Sequence, residues 1–231
     1  KLNFIQDAKI DKSNHLWVAG FNGVYKYNLK NGKIESYFFN ANDSTSLSNN
    51  NASKILIDSK SRVWIGTSGG GVNLYLPETN SFRRYNNEKS GLINDFVSNM
   101  LESRYGYLII STTKGFSMLD PENNKIHNFS SENGLPLNSL YSGGQCLTHN
   151  GEIYLTGMNG MVSFNEENLS IPHRLFNLNL VNLWINNKLV EPNDETHILE
   201  NALAYTKKIS LNHKQTMLTI EFASNNYIPA N

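Results

Sequence analysis

A Gly-x-Ser-x-Gly motif at residues 66–70 is the feature of this sequence that most suggests enzymatic chemistry. In hydrolases the pattern places a nucleophilic serine on a sharp turn between a strand and a helix, where backbone N–H groups stabilise an oxyanion. Here residues 71–75 continue as an apolar run that predicts a second strand instead of a helix. We therefore interpret Ser68 as a turn residue, and we predict no catalytic residue in this segment.

Residue types that bind metals or cofactors are scattered along the chain. The six histidines never stand two to four residues apart, and Cys146 is the single cysteine. The glycines at 69–71 lack the Gly-Lys-Ser/Thr ending of a phosphate-binding loop. No pair among the 20 acidic residues stands out as a glycosidase pair. We predict no metal and no cofactor.

The composition excludes several classes of partner. Twenty basic residues balance twenty acidic ones, so the chain lacks the basic field that nucleic acids or anionic membrane surfaces attract. No apolar run approaches the length of a membrane span, which needs about 20 residues. The chain contains 36 asparagines and 23 serines among its 231 residues, and both types favour turns. The composition indicates many short elements joined by turns.

A repeat of about 45 residues organises the first three quarters of the chain. Residues 11–20 resemble residues 58–67, and residues 102–111 and 148–157 resemble them more loosely. The aligned position, which we call the anchor, is occupied by Trp17, Trp64, Leu108 and Tyr154, at steps of 47, 44 and 46. A glycine, an apolar pair and a polar turn follow each anchor.

Short apolar runs within each copy alternate with clusters of Asn, Gly, Ser and Asp, which predicts strands and turns. In the second copy the predicted strands are Ser53–Asp58, Val63–Thr67, Gly71–Leu76 and Phe82–Tyr85. Four antiparallel strands in about 45 residues are typical of one β-propeller blade. Because a blade must bury its faces against its neighbours, we predict that Trp17 and Trp64 pack between blades and do not bind ligand.

The predicted fold is therefore all-β, with two parts. Residues 1–171 form four β-propeller blades, at about 1–40, 41–88, 89–132 and 133–171, which we interpret as the C-terminal part of a larger ring. Residues 172–231 lack the repeat and form a segment like a β-sandwich, with strands predicted at Leu175–Ile185, Lys188–Val190, Lys208–Leu211 and Met217–Phe222. In the last strand the alternation of Leu218, Ile220 and Phe222 with polar residues predicts one buried face.

The second copy resembles the two-component regulator propeller repeat. The matching residues are Ile57-Asp58, Val63-Trp64-Ile65-Gly66-Thr67, Gly70-Gly71-Val72, the turn at 77–82 and the linker at 46–50. The third and fourth copies depart from the pattern because they lack the tryptophan. Residues 199–227 are similar to the beginning of a Y_Y_Y domain, which follows such propellers.

The resemblance implies the extracytoplasmic sensor region of a hybrid two-component system that couples detection of polysaccharide fragments to transcription. It implies an oligosaccharide ligand, a homodimer, and a periplasmic location as part of an inner-membrane protein. The membrane span, histidine kinase, receiver and DNA-binding domains would lie outside this chain. No nucleic acid is expected to bind this segment.

A ligand is expected at one mouth of the propeller, where the turns between second and third strands meet the links between blades. These loops combine neutral amides with aromatic rings, a combination suited to uncharged sugars. The candidate ligand-binding residues are Phe21, Asn22, Asn94, Asp95, Phe96, Lys114, Asn138, Tyr141, Gln145, Met158 and Asn159. The competing interpretation is that they are ordinary solvated loop residues.

Two other functions remain open from the sequence. The propeller could be a protein-interaction scaffold that binds a polypeptide and no sugar. It could also be a lyase or hydrolase, although the residues favour this least. The neutrality of the amides at the predicted mouth favours an uncharged glycan over a sulfated or uronic one.

Overall fold

The structure is a computed structural model, and it describes residues 4–137, 139–140, 144–169 and 178–224. Its strands form five antiparallel sheets, which confirms the predicted all-β class. The contacts group the chain into one unit that spans residues 1–171 and a second that spans 172–229. Among the described residues, no helix is long and apolar enough to cross a membrane.

Four sheets lie in the first unit, and the strand order in each follows the chain. The first contains β1 (Ile5–Ile10), β2 (His15–Gly20), β3 (Gly23–Asn28) and β4 (Ile34–Tyr37). The second contains β5 (Ala52–Ile57), β6 (Val63–Thr67), β7 (Gly71–Leu76) and β8 (Ser81–Tyr85). The third contains β9 (Val97–Glu102), β10 (Leu108–Thr112), β11 (Gly115–Asp120) and β12 (Lys125–Phe129). The fourth contains β13 (Gln145–Leu147), β14 (Glu152–Gly157) and β15 (Gly160–Asn165).

The strands of the second sheet begin and end within one residue of their predicted positions. A short helix, α1 (Asn87–Ser90), follows this sheet and is capped by the side chain of Asn86. The repeated glycine after the second strand is required by close packing in the second and third sheets. A Cβ on Gly71 or Gly115 would lie 2.1 Å from a backbone carbonyl oxygen, and both residues have positive φ. Only glycine fits these turns without strain.

The core lies between neighbouring sheets, as the repeat predicts. Trp17 is fully buried against Ile55 and Tyr75 of the second sheet, and Trp64 is fully buried against Met100 of the third. A large side chain therefore fills each interface.

The anchor of the third repeat is Ile109, and the predicted anchor Leu108 is wrong by one residue. Ile109 pairs with Met118 just as Trp64 pairs with Leu74, and it packs into the cluster shared with the fourth sheet. Leu108 points to the other side of its sheet and joins the cluster that contains Trp64. The steps between anchors become 47, 45 and 45. Both residues are fully buried, so hydrophobicity alone does not distinguish them.

The second unit contains one sheet of β16 (Leu178–Ile185), β17 (Lys188–Val190) and β18 (Leu218–Ser224), in the order β17-β16-β18. The hairpin between β16 and β17 turns at Asn186 and Asn187, both of which have positive φ. The predicted strand at Lys208–Leu211 is wrong, since these residues form no strand.

The prediction of a buried face on β18 is also wrong for the described residues. Leu218 and Ile220 pair with the buried Ile185 and Leu183, so the four share one face. Leu199 and Leu203 cover the β16 side of this face, whereas Leu218, Ile220 and Phe222 remain exposed. Leu199 and Leu203 thus cover only the half of this face that β16 forms.

Candidate functional site

Turns and links meet at one end of the first unit, which we call the mouth end. It comprises the turns between second and third strands at 21–22, 68–70, 113–114 and 158–159. The amides of Gly69 and Gly71 donate to the carbonyl oxygen of Asp95, at 3.0 and 2.9 Å. At the next link the direction is reversed, and the amide of Leu140 donates to the carbonyl oxygen of Thr112, the last residue of β10, at 3.2 Å. Both links are therefore hydrogen-bonded to the preceding sheet at its mouth end.

Two of the predicted ligand residues hold these loops together. The Oδ1 of Asn94 accepts from the amide of Phe96 at 2.9 Å and from the hydroxyl of Thr113 at 3.0 Å. The Oδ1 of Asp95 accepts from the amide of Asn87 at 2.6 Å. These side-chain acceptors have a structural role, which the sequence analysis did not assign to them.

The other predicted residues divide into exposed ones and one partly buried one. Phe21 and Met158 expose 49% and 75% of their surface, and Phe96 is also exposed. Exposed polar groups accompany them at Asn22, Lys114 and Asn159. Asn138 and Tyr141 lie outside the described residues. The mouth end thus offers apolar side chains, amides and one ammonium group at its surface.

Gln145 is the predicted residue whose surroundings stand out. Its Oε1 accepts from the hydroxyl of Ser111 at 2.9 Å, but its buried Nε2 has no partner among the described residues. Ile55 and Met100 occupy the equivalent position in the second and third sheets. A buried donor without a partner costs about 1–3 kcal/mol, so Gln145 is unfavourable for packing alone.

Two serines near the mouth end were missed by the sequence analysis. Ser53 donates to the carbonyl oxygens of Gly66 and Val97, at 3.1 and 2.9 Å. Ser98 repeats this arrangement with Ser111 and Leu140, at 3.1 and 2.6 Å. Each serine joins its own sheet to the link or first strand of the next. The two are 45 residues apart, so the correct alignment of the third repeat would have identified the pair.

Carboxylates organise the opposite end, at the turns between first and second strands. Asp58 accepts from the indole of Trp64 at 2.9 Å and from the guanidinium of Arg62 at 2.6 Å. Asp11 accepts from the indole of Trp17 and the amide of His15, both at 2.9 Å. Burial raises the pKa of the Asp11 carboxyl, but these hydrogen bonds outweigh burial and leave the pKa below its usual value.

No group of three or more His, Cys, Asp or Glu residues within the described part of the chain could hold a metal ion. Ser68 lies in a turn between β6 and β7, as predicted, and forms an isolated bridge with Phe96. The nucleophile-elbow geometry, which requires a helix after the serine, is therefore not formed there.

Comparison with known proteins agrees with the propeller interpretation. Residues 46–69 match the family model described as "Two component regulator propeller", which confirms the resemblance for this segment. The chain is 26% identical over 261 aligned residues to Histidine kinase P4 of Formosa agariphila, and the alignment covers 92% of this chain and 19% of the kinase. The chain thus spans about a fifth of that relative.

Solved structures share the fold. One is the extracellular domain of the hybrid two-component system BT4673 from B. thetaiotaomicron, with a TM-score of 0.54 and 15% identity, covering 95% of this chain and 41% of that one. Another is the WD40 β-propeller domain of Doa1, with a TM-score of 0.50 and 14% identity, covering 69% of this chain and 49% of that one. These similarities support the propeller fold. The Y_Y_Y resemblance stays a prediction.

Proposed function

We propose that this chain is the extracytoplasmic, ligand-sensing region of a hybrid two-component signalling protein. The proposal is supported by the family match at residues 46–69 and by the relatives, one a histidine kinase and one an extracellular domain of such a system. It places the chain in the periplasm, as part of an inner-membrane protein. Kinase activity would belong to the whole protein and not to this segment.

The proposed ligand is an uncharged oligosaccharide bound at the mouth end. Gln145 carries this proposal, because its amide group has an unused donor at a position where the neighbouring sheets have Ile55 and Met100. A sugar hydroxyl is an acceptor that matches this donor. The exposed Phe21 provides a ring on which the apolar face of a sugar can stack.

Signalling would follow from a ligand that binds two states of the sensor unequally. A ligand shifts a conformational equilibrium only by the difference between its affinities for the two states. We propose that these states differ in the geometry of a homodimer, whose change would alter the kinase and then transcription.

Titration calorimetry with a panel of neutral oligosaccharides tests the site. The decisive variant is Gln145→Met, which introduces the residue that the third sheet has at the same position. It should fold at least as well as the unaltered chain and lose about tenfold or more in affinity, because the amide donor is removed. The control variant, Asn31→Ala, changes an exposed turn asparagine at the other end of the first sheet and should bind normally.

Other outcomes would count against the proposal. If no neutral glycan binds to a well-folded protein, carbohydrate sensing at the mouth end is wrong. If Gln145→Met binds as tightly as the unaltered chain, Gln145 is not part of the site. A stoichiometric periplasmic protein bound through Phe21 and Met158 would favour the interaction scaffold, because these exposed apolar residues also suit a polypeptide.

A further inference from the structure

Lys26 breaks the repeat at the interface between the first and second sheets. Lys26 pairs with the anchor Trp17, and the equivalent partners of Trp64 and Ile109 are Leu74 and Met118. Those two residues are buried apolar side chains. A lysine at a position that otherwise fills a core is costly unless its ammonium group is paired and hydrogen-bonded.

The ammonium group of Lys26 lies between two aromatic rings and beside one carboxylate. Its Nζ is 5.3 Å from the centroid of Trp17 and 5.0 Å from that of Tyr75, and the side chain is only 16% exposed. Its Nζ donates to the hydroxyl of Tyr75 at 3.2 Å, and its nearest carboxylate oxygen, on Glu35, is 3.6 Å away. That carboxylate already accepts from Lys33 at 2.7 Å. Two lysines therefore share one carboxylate, which leaves a positive charge at a largely buried position.

A cleft of about 430 Å³ opens beside Lys26, at the end opposite the mouth end. The turns at 11–13 and 60–62 form its two sides, and Pro77 and Glu78 lie at its border. Its volume is within the range of small-molecule pockets, which is about 300–1,000 Å³. A second cavity of about 230 Å³ lies along the same lysine, beside His15 and Asn28.

Most of the charged groups that face the cleft are paired, but within the described residues neither Lys12 nor Glu78 forms an ion pair. The charged residues that line the cleft are Asp11, Lys12, His15, Lys26, Lys60, Arg62 and Glu78. Lys60 and Arg62 both pair with Glu122 at 2.8 Å, and Asp11 accepts from Trp17. Lys12 forms no ion pair within the described residues, and the one carboxylate that Lys26 contacts among them is shared with Lys33. An anion in the cleft would have these two ammonium groups available.

We propose that this cleft binds a small molecule carrying a carboxylate. Lys26 would supply the charge at the base of the cleft, and Lys12 a second charge at its rim. The hydroxyls of Ser13 and Ser61 at the rim suit a ligand that also carries hydroxyl groups. The site is separate from the mouth end and does not depend on the neutral oligosaccharide proposed there.

Glucose and glucuronate are a suitable pair of probes, because they differ only in the carboxylate. Calorimetry with the full chain should detect binding of glucuronate and at least about tenfold weaker binding of glucose. Phosphate and sulfate are tested beside them. If either binds as tightly as glucuronate, carboxylate selectivity is refuted. Absence of glucuronate binding to the unaltered chain would overturn the whole proposal.

Lys26→Leu is the informative variant, because the second sheet has leucine at this position. It should keep or raise the thermal unfolding midpoint and lose about tenfold or more in glucuronate affinity. Lys12→Ala changes a surface residue and should weaken glucuronate binding by a smaller factor. It tests the proposal even if Lys26→Leu does not fold. The control Lys125→Leu replaces an exposed lysine of the third sheet and should bind glucuronate normally.

Unchanged glucuronate affinity in a folded Lys26→Leu variant would show that Lys26 serves only the packing with Trp17 and Tyr75. The same variant should bind a neutral oligosaccharide normally. Loss of neutral binding in Gln145→Met, with glucuronate binding retained, would separate the two sites. A failure of either proposal is therefore distinguishable from a failure of the other.

Discussion

The first two repeats and the last two use the same turn with different chemistry. Asp11 and Asp58 each accept hydrogen bonds from the backbone of their turn and from the anchor indole. Ser103 and Thr148 occupy the same turn position later in the chain, where a hydroxyl accepts from the backbone. The anchors that follow, Ile109 and Tyr154, have no indole.

The difference shows that turn capping and anchor packing are separate requirements. A hydroxyl is sufficient to hold the turn, but a buried indole N–H also needs an acceptor. The aspartate is present where the anchor is tryptophan and absent where it is not. The two residues are therefore best understood as a pair, six positions apart, within the first two repeats.

Among these changes, Trp64→Ala should lower the free energy of unfolding most. The substitution empties a fully buried position between the second and third sheets, and we expect a loss of about 4 kcal/mol in unfolding free energy. Ile109→Ala should cost less, about 3 kcal/mol, because a smaller side chain is removed. Urea unfolding measures both. A loss below about 1 kcal/mol for Trp64→Ala would contradict the packing role.

Asp58→Ala should have the next largest effect, at about 3 kcal/mol, because it leaves the indole of Trp64 and the guanidinium of Arg62 without their acceptor. Ser103→Ala should cost only about 1 kcal/mol. In a Trp64→Phe background the indole donor is gone, so Asp58→Ala should cost about 1 kcal/mol less than in the unaltered chain. Strict additivity in this double-mutant cycle would show that the two residues are not a pair.

Lowering the pH should have the smallest effect on stability, and this effect should arise from Asp11 in the first repeat. The pKa of Asp11 is lowered from an ordinary value of 3.8, so its carboxylate stabilises the fold above that pH. This stabilisation should be lost as the pH falls through the lower pKa of the folded state. Asp11→Asn keeps an acceptor oxygen and should flatten the pH dependence of unfolding in urea. Ser103→Ala, which changes no titrating group, should lower stability equally at every pH.

The strands of the repeats and the burial of the tryptophans were predictable from the sequence, because both depend on local patterns that recur. The third anchor was not, because Leu108 and Ile109 are adjacent and both buried. Only the pairing of Ile109 with Met118 distinguishes them, and pairing register is a property of the folded sheet. The one-residue error also concealed the repeated pair of Ser53 and Ser98.

The position of the predicted site at one end of the sheets followed from the repeat. The hydrogen bonds within the site depend on the folded structure and could not be predicted. Asn94 and Asp95 hold loops through hydrogen bonds to Thr113 and Asn87, contacts that composition does not reveal. Gln145 became distinctive only when its register with Met100 was known. Leu218 was predicted to be buried and is exposed. The reason is that alternation in the sequence shows which residues share a face but not how much of that face is covered.

The chain-ordered strands of the first three sheets also bear on how this unit folds. Each sheet closes through hairpins, so its backbone pairing forms over short sequence separations, which favours fast local nucleation. Within the described residues, the buried clusters of the first unit each join two successive repeats, and cooperativity should therefore spread from neighbour to neighbour. The second and third sheets are packed on both sides, so their amide hydrogens should exchange with solvent slowly.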